Sequence, residues 1–231
     1  MAAIKTEKTP GLFGVYLSGI ISIWIGGILG FVFMATSPTK AFPSLDAYRA
    51  AQAEEDAPRA SKPGNAFYIE GPLLRTRSWE AKREQLSAPG PQTVSLSIGE
   101  LNMWANSRFT AASPPSNLKD AKLLIVPGIP NFAAVEERGF YINLPLSVII
   151  LGRSYECMLV AVGTLDTSGF QAESVSFNAA AIPLPSVLGA RALESVAQAF
   201  QTSEDFGIIT QAFERAESVN WGTDGLTFRL R

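Results

Sequence analysis

Two serine–lysine pairs stand at the spacing used by serine acyl enzymes, Ser37 with Lys40 and Ser116 with Lys119. That chemistry needs the pair on one helical turn, with the amine beside the hydroxyl, and partner motifs elsewhere in the chain. Pro38 follows Ser37, Ser116 follows Pro114 and Pro115, and the partner motifs are absent. The remaining acid/base groups are carboxylates. Glu136 and Glu137 are adjacent, and adjacent residues on a strand face opposite ways, so they cannot share one substrate. Glu156 lies in an apolar run, where it either faces solvent or, if buried, pairs with Arg153. Glu54, Glu55 and Asp56 lie too close along one segment to converge on a metal, and they read as a solvated face.

Other chemistries are closed by composition. There is no histidine, which removes the Ser-His-Asp and Cys-His routes to an activated nucleophile and the common zinc sites. Cys157 is the only cysteine, so no intrachain disulfide or CxxC pair forms, and its apolar neighbours Met158, Leu159 and Val160 make it a core residue. No dinucleotide fingerprint, P-loop, nucleophile elbow or EF-hand loop occurs. With 19 basic and 21 acidic residues the chain lacks the charge that nucleic-acid binding needs. The expectation is a binding protein, not an enzyme, with no catalytic, cofactor or metal residues.

What remains is organised around an anchor. Residues 12–34 are uninterrupted by charge and rise about 34 Å as a helix, enough to cross a hydrocarbon core of about 30 Å. The apolar run exceeds that of a cleaved signal, so a retained anchor is expected. The chain divides into a tail at 1–10, a transmembrane helix at 11–36, a stalk at 37–65 and an α+β domain at 66–231. The stalk, punctuated by Pro38, Pro43, Pro58 and Pro63, carries one short helix capped by Ser44. Lys5 and Lys8 face Lys40 and Arg49 across the span, so basic charge barely sets orientation. The short tail before a large domain is the shape of a signal anchor, and the expected placement is the inner (cytoplasmic) membrane with a periplasmic or extracytoplasmic domain.

In the domain, a strand at 67–70 and a helix at 78–86 precede a Pro/Gly turn. Val94, Leu96 and Ile98 alternate as a strand does. Ser97-Ile98-Gly99-Glu100 is a capping box opening a helix with Leu101, Trp104, Ala105 and then Phe109 on its apolar face. Extended segments follow at 122–126, 132–137, 139–142, 146–151, 155–165 and 170–180, with a hairpin turn at Gly152-Arg153-Ser154. They predict an antiparallel meander of about five strands. Two amphipathic helices cover it, one capped by Ser186 with Val187, Leu193 and Phe200 in its stripe, the other starting at Ser203 with Phe206, Ile209 and Phe213. Val219 and Trp221, then Leu226, Phe228 and Leu230 around Gly222-Thr223-Asp224-Gly225, close the chain as a hairpin.

The most specific feature is a ridge of small residues on the anchor: Gly14, Ser18, Ser22, Gly26 and Gly30, every fourth position and so on one helix face. Small residues there let a second helix approach closely, and the serines can bond across. Three further features, Leu96-Ser97-Ile98-Gly99-Glu100-Leu101-Asn102 at a helix start, the meander, and Ile182-Pro183-Leu184-Pro185 ahead of an amphipathic helix, carry a resemblance. Over about residues 94–200 the chain resembles membrane-anchored bacterial extracytoplasmic domains of the YpmS type, whose α+β fold is similar to tubular lipid-binding domains. The resemblance implies no catalytic residues. The expected function is a non-catalytic accessory or scaffold subunit of a larger membrane assembly, its partners being the membrane and other transmembrane helices or a second copy. The alternative is a lipid or amphiphile carrier or sensor, with the sheet and the last two helices enclosing an apolar pocket.

Overall fold

The computed structural model describes residues 12–37, 39–54, 67–109, 123–136, 138–150, 152–182, 184, 186–201, 203 and 205–231. The tail at 1–10, Pro38, Glu55 and Asp56 with the rest of the stalk to 65, Ser116 and Lys119, Glu137, Pro183, Pro185 and Glu204 lie outside the described residues. The fold is α+β: an N-terminal apolar helix, then a domain of antiparallel sheets packed by helices.

Helix α1 (Leu12–Thr36) is continuous over 25 residues. It is long and apolar enough to cross a membrane. Its surface is exposed as far as Leu29; Gly30, Phe31 and Met34 are then half-buried and Ala35 is buried. The last carbonyls of a helix lack intrahelical donors, and here the domain supplies two. Ala179 N–H donates to Met34 O at 3.2 Å, and the Asn178 side-chain amide donates to Ala35 O.

The expected stalk packs on the domain over its described part. Strand β1 (Lys40–Phe42) pairs in parallel with β2 (Phe67–Ile69). In helix α2 (Leu45–Glu54), opened by Ser44 accepting from Ala47 N–H at 3.1 Å, Tyr48 stacks on Phe67 with ring centroids 3.5 Å apart. Phe42 meets both rings edge-on. These aromatics sit among alanines and charges that read as linker, yet their apolar area is buried against the start of the domain.

The remaining strands form two sheets: the segments expected as a meander make up one, and the C-terminal hairpin joins the 92–96 strand in the other. The larger, in the order β4-β6-β7-β8-β9, contains β4 (Leu123–Pro127), β6 (Gly139–Ile150), β7 (Arg153–Asp166), β8 (Gly169–Phe177) and β9 (Ala180–Ile182), with β5 (Asn131–Val135) also on β6. Segments 139–142 and 146–151, expected as two strands, belong to the single strand β6. Pro145 falls where β6 changes partner, between Asn143 on β5 and Leu146 on β4. Its carbonyl accepts from Gly128 N–H at 2.8 Å, so its missing N–H points into that junction, where no ladder partner waits. Ile150 pairs with Arg153, which makes Arg153 and Ser154 strand and leaves Gly152, at φ +78°, in the turn. The expected segment 170–180 divides at Asn178 into β8 and β9.

The smaller sheet, in the order β10-β11-β3, joins the C-terminal hairpin β10 (Ala216–Gly222) and β11 (Gly225–Leu230) to β3 (Gln92–Leu96). Ile98 belongs not to β3 but to helix α4 (Ile98–Arg108), whose capping box forms in full: Ser97 accepts from Glu100 N–H, and Glu100 accepts from Ser97 N–H. Helices α3 (Ser78–Ser87), α5 (Val187–Gln201) and α6 (Phe206–Arg215) complete the domain. One face of the large sheet, with Phe140, Ile142, Leu144, Leu159 and Ala161, packs toward α4 and α5. Its other face, with Tyr141 and Val160, lies under Ile69 of β2. The small sheet packs on α3 and α6 through Trp79, Leu86, Val94, Ala212 and Phe228.

Candidate functional site

Between the two sheets and under α4, α5 and α6 lies a cavity of about 650 Å³. Its walls come from every layer: Phe132, Phe140 and Phe170 from the large sheet, Leu96 and Phe228 from the small one, Leu101 and Trp104 from α4, Phe200 from α5, Ile209 and Phe213 from α6. The lining follows from the stripes of the helices. Each presents one apolar face to the interior, and together these faces surround the space between the two sheets. Aromatic edges set the shape, with Phe109 edge-on to Phe200 at 5.3 Å and Phe213 edge-on to Phe228 at 5.2 Å. A volume of this size is typical of sites for small molecules.

Behind the Trp104 wall is a polar cluster that sequence reading missed. Asp205 is fully buried at the start of α6. Its carboxylate accepts from Arg83 Nη2 at 2.6 Å and from Trp104 Nε1 at 2.7 Å, with Arg108 Nε at 3.7 Å. Burial pushes its pKa up, but the Arg83 and Trp104 hydrogen bonds and the two guanidinium charges outweigh this and hold it below the usual carboxylate range. Asp205 therefore fixes α6 against α3 and α4, and so sets the position of one cavity wall. Its carboxylate is turned away from its own helix, which accounts for the missing side-chain cap at the α6 N-terminus. The one available signal was Trp104 and Arg108 at i, i+4 on α4, placing a donor and a cation on one face.

A second tie is Asn102, also fully buried. Its Nδ2 donates to Pro72 O and Phe132 O, both at 2.9 Å, and its Oδ1 accepts from Phe132 N–H at 2.6 Å. It thus pairs with Phe132 as a strand neighbour would and holds α4 against β5. A third is Lys82, which donates to Glu100 Oε2 at 2.5 Å and links α3 to the capping box.

The residues expected from sequence do not converge. Gly14, Ser18, Ser22, Gly26 and Gly30 share one helix, and a Cβ added at Gly14, Gly26 or Gly30 would meet nothing within 4 Å. Ser18 donates back to Val15 O at 3.0 Å. Ser37 donates to Phe33 O at 2.8 Å as a helix-end contact, while Lys40 lies in β1, so the pair is not on one helical turn. Glu156 is exposed and accepts from Ser147 Oγ at 2.6 Å. Cys157 is buried, and burial together with the Glu156 charge pushes its thiol pKa up, away from reactivity. Among the described residues no group of three or more acidic or cysteine side chains converges to hold a metal.

No family model, curated protein or solved structure matches this chain.

Proposed function

We propose that this chain is a single-pass membrane-anchored binding protein whose domain takes an apolar or amphiphilic small molecule between its two sheets. The observation that carries the proposal is the cavity of about 650 Å³ with phenylalanine and leucine walls. An apolar lining of that extent offers water few hydrogen-bond partners, and a hydrocarbon body placed against it buries apolar surface on both sides. The reading is of binding without catalysis, because Asp205 and Glu100 are held in ion pairs that position helices and the one carboxylate of the described lining, Glu214, lies at the exposed rim without a second acid/base group in that lining.

The same proposal retains α1 as an anchor, since the domain caps its last turn through Asn178, and places it in a bacterial cytoplasmic membrane with the domain outside the cytoplasm. Kinship with the YpmS-type domains, suggested by the Leu96-to-Asn102 helix start, is part of this reading. Native mass spectrometry of the full chain released from membranes tests it. A bound lipid-sized mass is expected, lost in a Thr210→Trp variant that fills the mouth; a bare protein mass in both overturns it.

A second reading, favoured by the ridge at Gly14, Ser18, Ser22, Gly26 and Gly30, exposed along its first four members, makes the chain an accessory subunit docked on another transmembrane helix. Replacing Gly26 and Gly30 with leucine should then release it from its partner in a mild-detergent pull-down. Unchanged co-purification sinks this second reading and leaves the first intact.

A further inference from the structure

We infer that the cavity selects its occupant by charge, taking amphiphiles with neutral or cationic polar ends and rejecting anionic ones; the inference rests on the binding reading above. The cavity has one polar sector. Its lining is apolar except where it reaches the exposed residues Thr167 and Ser168, in the turn between β7 and β8, and the half-buried Thr210 and exposed Glu214 on α6. Thr210 and Glu214 are one helical turn apart with Phe206, so they share one face of α6 and stand as the rim opposite the β-turn. The polar end of any amphiphile whose tail fills the phenylalanine-lined interior comes to rest there, because no other part of the described wall offers a hydrogen-bonding group besides the Trp104 indole, which is engaged by Asp205.

The rim carries negative charge. Glu214 is the single charged residue among the described residues that line the cavity. Asp166, exposed beside it in sequence to the turn, accepts from both the amide and the hydroxyl of Ser168, which orients that hydroxyl and adds a second carboxylate close to the mouth. Among the described residues, the basic side chains of the four helices that wall the cavity are engaged elsewhere: Lys82 by Glu100, Arg83 and Arg108 by Asp205, Arg191 by Glu194, and Arg215 by the Gly90 and Arg231 carbonyls. An anionic headgroup at the mouth therefore meets like charge and, among the described lining residues, no countercharge. An ammonium gains a carboxylate, and a hydroxyl gains Thr167, Ser168 or Thr210.

The test uses the full chain in nanodiscs and three hexadecyl probes carrying a diazirine in the chain: a trimethylammonium, an alcohol and a sulfonate. Their charges do not depend on pH. Crosslinks are mapped by peptide mass spectrometry, and labelling of α1 normalises for partition into the bilayer. The expected result is cavity labelling, at peptides containing Phe200 and Phe213, by the ammonium and the alcohol, with the sulfonate at least fivefold lower. Glu214→Gln should raise the sulfonate signal at least twofold without lowering that of the alcohol. Equal cavity labelling by all three probes overturns the charge selection and leaves the binding reading standing. Absence of cavity labelling by every probe overturns the binding reading itself. A sulfonate deficit that Glu214→Gln does not change removes Glu214 as its cause and overturns the inference in that form.

Discussion

The Asn178 side-chain amide donates to the carbonyl oxygen of Ala35, so a residue of the turn between β8 and β9 caps the final turn of the long apolar helix α1 from 143 positions away. The same side chain accepts from Met158 N–H at 2.7 Å, and its backbone sits at φ +48°. Asparagine is among the few residues that adopt this conformation readily.

Asn178→Ala removes both side-chain bonds and puts a less tolerant residue at positive φ. A loss of about 2–4 kcal/mol is expected, and a smaller one for Asn178→Gly, which relieves only the strain. Amide exchange at Met158 is the measurement; protection equal to the parent's in both variants would refute the role given to Asn178.

Asn102→Leu leaves the buried Phe132 amide and carbonyl without their partner. The expected loss is about 3 kcal/mol, or a fall in melting temperature of roughly 6–12 °C for a domain of this size. Calorimetry of the purified chain decides it, and a shift under a third of that would mean that the side chain is replaceable by packing.

Asp205→Leu strands Arg83 beside a buried wall and frees the Trp104 indole. Removing one partner of a buried ion pair costs about 3–5 kcal/mol, whereas Asp205→Asn keeps an acceptor for Trp104 and should cost less. Urea unfolding of the two variants should rank them in that order; the reverse order would place the stabilisation in packing and not in charge.

Acid should unfold the domain through two carboxylates. Burial raises the pKa of Glu100, but hydrogen bonds from Lys82, Ser78 and Ser97 bring it down from 4.5 to about 2. Asp205 is lowered as well. Both folded-state values lie below the unfolded ones, so the stabilisation is whole above the ordinary carboxylate range and declines as pH falls from about 4.5 toward 2. Urea midpoints across this window should fall steeply for the parent and less for Glu100→Gln. Parallel slopes would show that Glu100 does not contribute.

Cys157 should resist iodoacetamide in the folded chain and react on unfolding, since its thiol is buried and its pKa raised. Mass spectrometry after timed alkylation gives the answer. Rapid modification of the native protein would place the residue at the surface.

Much of this architecture was legible locally. The Ser97 capping box, the hairpin around Gly222 and Gly225 and the apolar span of α1 each depend on residues close in the chain, and each forms where the pattern places it. The errors have one physical origin. Pro145 reads as a break because a local view does not show that β6 exchanges β5 for β4 at that residue. Phe42 and Tyr48 read as linker because Phe67, the surface that buries them, lies beyond a run of prolines and charges.

The amino-acid sequence by itself determined that the chain has a membrane-length helix, a mixed α+β domain and a chemistry without histidine or paired cysteines. Composition and short-range periodicity suffice for those, because they follow from hydrophobic burial and from hydrogen bonds within a few residues. The tertiary structure alone decided that the strands divide into two sheets, that Asp205 draws in Arg83, Trp104 and Arg108, and that the helix stripes leave a cavity between them. Each of these is a contact across tens of residues, and whether apolar faces meet or stand apart depends on the distance between layers, a quantity that no local pattern encodes.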